Sequence, residues 1–121
     1  MTEHPTVRDG DLEVLRDDMA SDWIERRELA LVAFLDSREI SEMETIRERL
    51  RLTVAKLALG DRLAGGIIDL AHDVLVADAL HIKTAPFLVL FAHGEVVDRL
   101  MGAPPVPVLV DVVKTRLKTL G

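Results

Sequence analysis

The side chains of this sequence that could carry chemistry are few and scattered. There is no cysteine, so thiolate catalysis, disulfide exchange and thiolate-bound zinc or iron–sulfur sites are excluded. The four histidines, His4, His72, His81 and His93, show no tight metal-ligand spacing to one another. Asp69 and Asp73 lie close to His72, but a structural zinc site normally takes cysteines or several histidines, and no metal is assigned. No serine sits in a Gly-x-Ser-x-Gly elbow, and no Walker or dinucleotide-type glycine motif occurs. No catalytic residue and no cofactor is therefore assigned. Two short stretches remain. Thr84-Ala85-Pro86 precedes an apolar run, and Asp36-Ser37-Arg38-Glu39 follows another. The charged stretch suits either a contact site or a hydrated loop leading into an ordinary helix start.

The chain has 121 residues, 49% hydrophobic and 30% charged, which fits one compact globular domain with a core of its own. Aromatic residues are only 3%, so Leu, Val, Ile and Ala must build that core. The formal net charge of -6 argues against nucleic acid or an anionic membrane as the main partner, because both recruit basic patches. Arg47, Arg49, Arg51 and Lys56 cluster locally and read as a solvated helix face. No basic-then-apolar leader pattern opens the sequence, and no apolar run reaches the length of a membrane span. A cytoplasmic location is the expectation.

The elements that must position these residues follow from periodicity. Residues 1–10 read as a flexible N-terminus and residues 11–121 as one domain. Leu12, Leu15, Met19 and Trp23 recur at spacings of three and four, which predicts a helix over 11–23, with Asp9 or Asp11 as its cap and Trp23 in the core. The apolar run 29–35 predicts a strand buried on both faces. Ser41 and Glu44 form a capping-box pattern ahead of a long helix over 41–59 that stops at Gly60; a strand over 50–57 is the alternative. Residues 66–70 read as a strand ending near Asp69. Residues 73–80 read as a short helix with Val74, Leu75 and Ala79 inward. Strands over 87–91 and 95–100 flank a His93-Gly94 turn as a hairpin, and a final helix runs over 108–120.

Strands interleaved with helices, then a hairpin and a helix, make an α/β sandwich. This order resembles that of thioredoxins. Residues 67–103 resemble the second half of that family: Asp69 at a strand end, Pro86 opening a hairpin strand that ends in Phe91, then Gly94-Glu95-Val96 and Gly102-Ala103. The run 29–35 is similar to the family's central strand, with Phe34 at its usual aromatic position. The resemblance implies a thioredoxin-like α/β fold: a mixed four-stranded central sheet flanked by helices, with a cis-Pro loop at Pro86. The family's Cys-x-x-Cys pair corresponds to about Glu39-Ile40-Ser41-Glu42 here. The assisting buried acid is replaced by Ala33, and the tryptophan before the motif by Arg38.

The resemblance therefore implies a redox-inactive thioredoxin-like protein that binds another protein or an extended peptide segment, as a chaperone, adaptor or assembly factor. The bacterial thioredoxin-like chaperones of hydrogenase maturation, which also lack the dithiol, have a similar Asp-to-Pro stretch. The implied partner-binding residues are Ser37, Arg38, Glu39, Ser41, Glu42, Thr84, Ala85 and Pro86, since the backbone beside such a proline can pair with an extended partner without a thiol. Two alternatives stay open: an enzyme on the same fold using glutathione or another thiol cofactor, and a structural homodimer subunit.

Overall fold

The computed structural model describes residues 8–9 and 12–120, and the structural statements below concern those residues. The apolar run forms β3 (Leu29–Leu35), and all seven of its residues are buried. It lies at the centre of a mixed sheet, parallel to β4 (Leu63–Asp69) and antiparallel to β5 (Phe87–Ala92). Its side chains alternate as a pleated strand requires. Leu29, Leu31, Ala33 and Leu35 enter one core cluster, while Ala30, Val32 and Phe34 enter the other. β5 turns back through His93 and Gly94, both at positive φ, into β6 (Glu95–Met101). Positive φ at both central positions matches the twist of the flanking strands.

The four expected strands are thus present, and the sheet continues beyond them. β1 (Arg8–Asp9) and β2 (Leu12–Val14) form an antiparallel pair, and β2 runs parallel to β4, giving six strands in the order β1-β2-β4-β3-β5-β6. This corrects the helix expected over 11–23. Only α1 (Ala20–Glu25) is helical there, and its N-cap, Met19, makes no side-chain cap bond. Leu12 and Leu15, three apart, are not one helical face. Leu12 packs in one core cluster and Leu15 in the other, on opposite faces of the sheet. β4 permits this approach with two glycines. A Cβ on Gly65 would lie 2.5 Å from Leu12 Cδ2, and one on Gly66 would lie 2.8 Å from Leu15 Cδ1. The expected loose N-terminus lies outside the described residues, apart from the two of β1.

Two long helices cover one face: α2 (Ile40–Leu57) through Ile46 and Leu50, and α4 (Val106–Leu120) through Leu109 and Val113. α2 is helical through 50–57, so the strand alternative fails there. It ends at Ala58, whose φ of 51° is left-handed, and Gly60 follows at φ 58°. The capping box is also corrected. The N-cap is Glu39, without a side-chain cap bond, and Ser41 already lies inside the first turn.

The other face is covered by α1 and by α3 (Leu75–Ala79), through Ala20, Trp23, Ile24 and Ala77. Here the expected orientation is reversed. Val74 and Leu75 are 42% and 63% exposed, and Ala77 is the residue that α3 buries. Asp73, expected in the helix, is instead buried ahead of it. It accepts the Asp17 N–H at 2.9 Å and lies 3.5 Å from Arg16 Nε. Asp17 in turn accepts the Val74 and Leu75 N–H groups at 3.3 and 3.1 Å, satisfying donors that every helix start leaves open.

Candidate functional site

Because β3 and β4 run parallel and β5 runs against them, the ends of β3, β4 and β6 and the start of β5 meet at one end of the sheet. Phe34 is opposite Phe87, Leu35 is opposite Asp69, and Phe87 is opposite Met101. All eight predicted site residues belong to the two segments that leave this end. Ser37, Arg38 and Glu39 form the link from β3 to α2, and Ser41 and Glu42 lie in the first turn of α2. Thr84, Ala85 and Pro86 lead into β5. The fold brings these segments to the same sheet end. Among the described residues no hydrogen bond joins them directly.

The link is held by two carboxylates. Asp69 Oδ1 accepts the backbone N–H groups of Ser37 and Ala71, both at 3.0 Å. The adjoining Leu70 N–H donates to the Leu35 carbonyl at 2.7 Å. Burial pushes the Asp69 carboxyl up, but hydrogen bonds from Ser37 and Ala71 outweigh it, and its pKa falls below the ordinary value. Asp36 holds Arg38 in a bidentate pair, with Nε to Oδ1 at 2.8 Å and Nη2 to Oδ2 at 2.7 Å. It also accepts the Arg38 N–H at 3.0 Å. This donation from Arg38 holds the Asp36 pKa down to about 2.

The proline loop is open where the link is closed. Ala85–Pro86 is a cis peptide. The Pro86 carbonyl accepts the Gly102 N–H at 2.9 Å, which ties the loop to the end of β6. The next residue, Ala103, is fixed from the other side, because its carbonyl accepts the Arg49 guanidinium of α2. Among the described residues, Thr84 and Ala85 make no backbone hydrogen bond. Their donors and acceptors are left to water.

Sequence reasoning missed two apolar side chains at this end. Ile40 is 61% exposed and Met101 is 75% exposed. Apolar types read as core, and only their places, at a helix start after charged residues and beside the Gly102 turn, could have marked them. The histidines do other work. His81 and His93 occupy turns at φ 61° and 51°, and among the described residues no group of three or more His, Asp or Glu could hold a metal ion. A cavity of about 690 Å3 lies at the far end of α2. It is lined by Trp23, Arg27, Val54 and Gly60 with charges of both signs, and contains none of the candidate residues.

Among the solved structures that share this fold are the following two. A point-mutant thioredoxin from Halobacterium salinarum NRC-1 is 24% identical, with a TM-score of 0.62 over 90% of this chain and 94% of that one. The fold is that of thioredoxin. The zinc-bound form of human ERp44 is 18% identical, with a TM-score of 0.71 over 86% of this chain and 30% of that one. No family model matches the chain, and neither does any curated protein. On this thioredoxin fold, no residue can cycle between thiol and disulfide, because the chain has no cysteine. No helix among the described residues is long and apolar enough to cross a membrane.

Proposed function

We propose that this is a redox-inactive thioredoxin-fold binding module, a chaperone, adaptor or assembly factor of the cytoplasm, that grips a protein or an extended peptide segment at the proline-loop end of the sheet. One observation carries the reading. A firmly tethered sheet end presents unpaired backbone at Thr84 and Ala85 at the same end of the sheet as the exposed Ile40 and Met101. Unpaired backbone beside a strand start can pair with an extended chain, and exposed apolar side chains add area to the contact. Arg38 supplies a positive contact, while Glu39 and Glu42 offset the pull of the helix start on acidic partners.

The test is a double variant, Arg38→Glu with Thr84→Trp. Both residues are exposed, and a surface ion pair such as Asp36–Arg38 contributes little to stability, so the melting temperature should hold. A partner captured by the natural chain should bind the variant about tenfold or more weakly, equivalent to roughly 1.4 kcal/mol. Normal binding would move the working surface elsewhere. Insulin-disulfide reduction should be absent throughout, and catalytic reduction by the pure chain would overturn the redox-inactive reading.

A further inference from the structure

The sheet face under α1 and α3 carries a second feature, separate from the proline-loop end. Between these helices and the β5–β6 turn lies a cavity of about 220 Å3, lined by Ile24, Leu75, Val76, Leu80 and Phe91. Small-molecule sites usually span about 300–1,000 Å3, so this space suits an aliphatic side chain from a partner rather than a free ligand. Its apolar wall is already partly outside, since Leu75 is 63% exposed.

The surroundings are predominantly acidic. Residues 17–25 include Asp17, Asp18, Asp22 and Glu25 without a lysine or arginine, and residues 70–80 include Asp73 and Asp78, again without one. Arg16 answers Asp73, Arg26 answers Asp22 at 2.9 Å, and Arg99 donates to the Leu80 carbonyl at 2.9 Å. Asp18, Glu25 and Asp78 are exposed and have no ion-pair partner among the described residues. A second copy would bring the same acids against these, and nucleic acid or an anionic membrane would be repelled. The complementary occupant is cationic with an aliphatic anchor. α1 and α3 offer it side chains rather than a free strand edge, so the fitting shape is an amphipathic helix laid in a groove.

We infer that the α1–α3 face docks a basic amphipathic helix of a partner protein, seating an aliphatic side chain against Leu75, Val76 and Phe91 and setting its cations against Asp18, Glu25 and Asp78. This goes beyond the proline-loop reading and does not depend on it.

The test uses the full chain and a synthetic helical peptide with leucines spaced three and four apart and lysines at its other exposed positions. A second peptide carries glutamates in place of the lysines. In an amide NMR titration, the lysine peptide should shift α1, residues 75–80 and residues 91–94, and the glutamate peptide should shift nothing. Leu75→Ser should weaken binding at least fivefold, and Asp18→Lys/Glu25→Lys/Asp78→Lys at least tenfold. The control Glu44→Lys/Asp61→Lys/Asp111→Lys makes the same change in net charge on other exposed sites and should cost less than twofold. Circular dichroism should show every variant folded. Absent binding, an equal loss in the control, or shifts spread over the whole acidic surface would overturn the inference. Shifts centred on residues 84–86 would also overturn it, while leaving the proline-loop reading standing.

Discussion

β3 feeds both faces of the sheet with fully buried side chains, yet what covers them differs. On one side lie an eighteen-residue and a fifteen-residue helix; on the other lie helices of six and five residues. Helices shorter than about 12–15 residues are marginal on their own, so α1 and α3 exist only through their anchoring. Trp23, Ile24 and Ala77 bury their inner sides. Trp23 Nε1 donates to Glu13 at 3.0 Å, and Arg27 stacks over the indole at 4.6 Å. Asp17 and Asp73 connect the two short helices through backbone N–H groups. Both sides bury their core residues, but the thin side leaves a groove of about 220 Å3 beside its two short helices. A face that is not fully covered by its own chain is the one able to receive another.

Core truncation tests the comparison most severely. Leu50 is fully buried between α2 and the sheet, and Ile24 is 3% exposed in α1 beside the groove. Truncating such residues to alanine costs about 2–5 kcal/mol, depending on how far the site can collapse. Leu50→Ala should fall near the top of that range, at roughly 4 kcal/mol, because the long helices hold its cavity open. Ile24→Ala should cost roughly 2 kcal/mol, since a six-residue helix can shift inward. Urea unfolding measures both. Equal costs would mean that the thin side is as rigid as the thick one.

How much of this was legible depends on whether the cause was local. β3, α2, the hairpin and α4 follow from short-range periodicity and turn chemistry, and Asp69 does end its strand. β2 was hidden because Leu12 and Leu15 have helical spacing, while their real partner is the glycine pair of β4, about fifty positions away. The outward turn of α3 was hidden for the same reason. Asp17, far from it in sequence, sets where that helix begins. At the proline-loop end, residue types located the segments, but not which side chains are exposed. Ile40 and Met101 are apolar, and apolar character alone says core.

The carboxylates at the sheet end come next in size. Asp69→Ala removes the acceptor of two backbone N–H groups, those of Ser37 and Ala71. Leaving such donors unanswered costs about 1–3 kcal/mol, and the expected loss is roughly 1.5 kcal/mol by chemical denaturation. Asp69→Asn keeps an acceptor oxygen and should lose less than half of that. The pH dependence has a definite sign. The Asp69 pKa is lowered by folding, so its contribution is present above the ordinary carboxylate range, near 3.9, and is lost as pH falls through the lowered value. Asp69→Asn should remove that part of the acid sensitivity. If Asp69→Ala costs nothing, the β3–α2 link is held by something other than this tether, and the contrast between closed link and open loop fails.

The smallest effect concerns Arg38, the one positive side chain assigned to the contact surface. Its guanidinium is committed to Asp36 and holds that carboxyl at about 2. Because the folded-state value is depressed, the pair contributes above the ordinary carboxylate range of about 3.9 and ceases to do so as pH falls through about 2. In Arg38→Ala, Asp36 should rise toward its ordinary value but stop short of it, because the residue-38 N–H still donates to Oδ1. A carbon-detected NMR titration of the Asp36 carboxyl reads this directly. The consequence for binding is specific. A partner carboxylate that engages Arg38 must compete with Asp36, so in the complex Asp36 should titrate higher than in the free chain. A partner that docks through Thr84, Ala85 and the apolar side chains alone should leave Asp36 where it is. If Asp36 stays near 2 in Arg38→Ala itself, the backbone N–H is the main restraint, and the Asp36 titration would not report whether a partner engages Arg38.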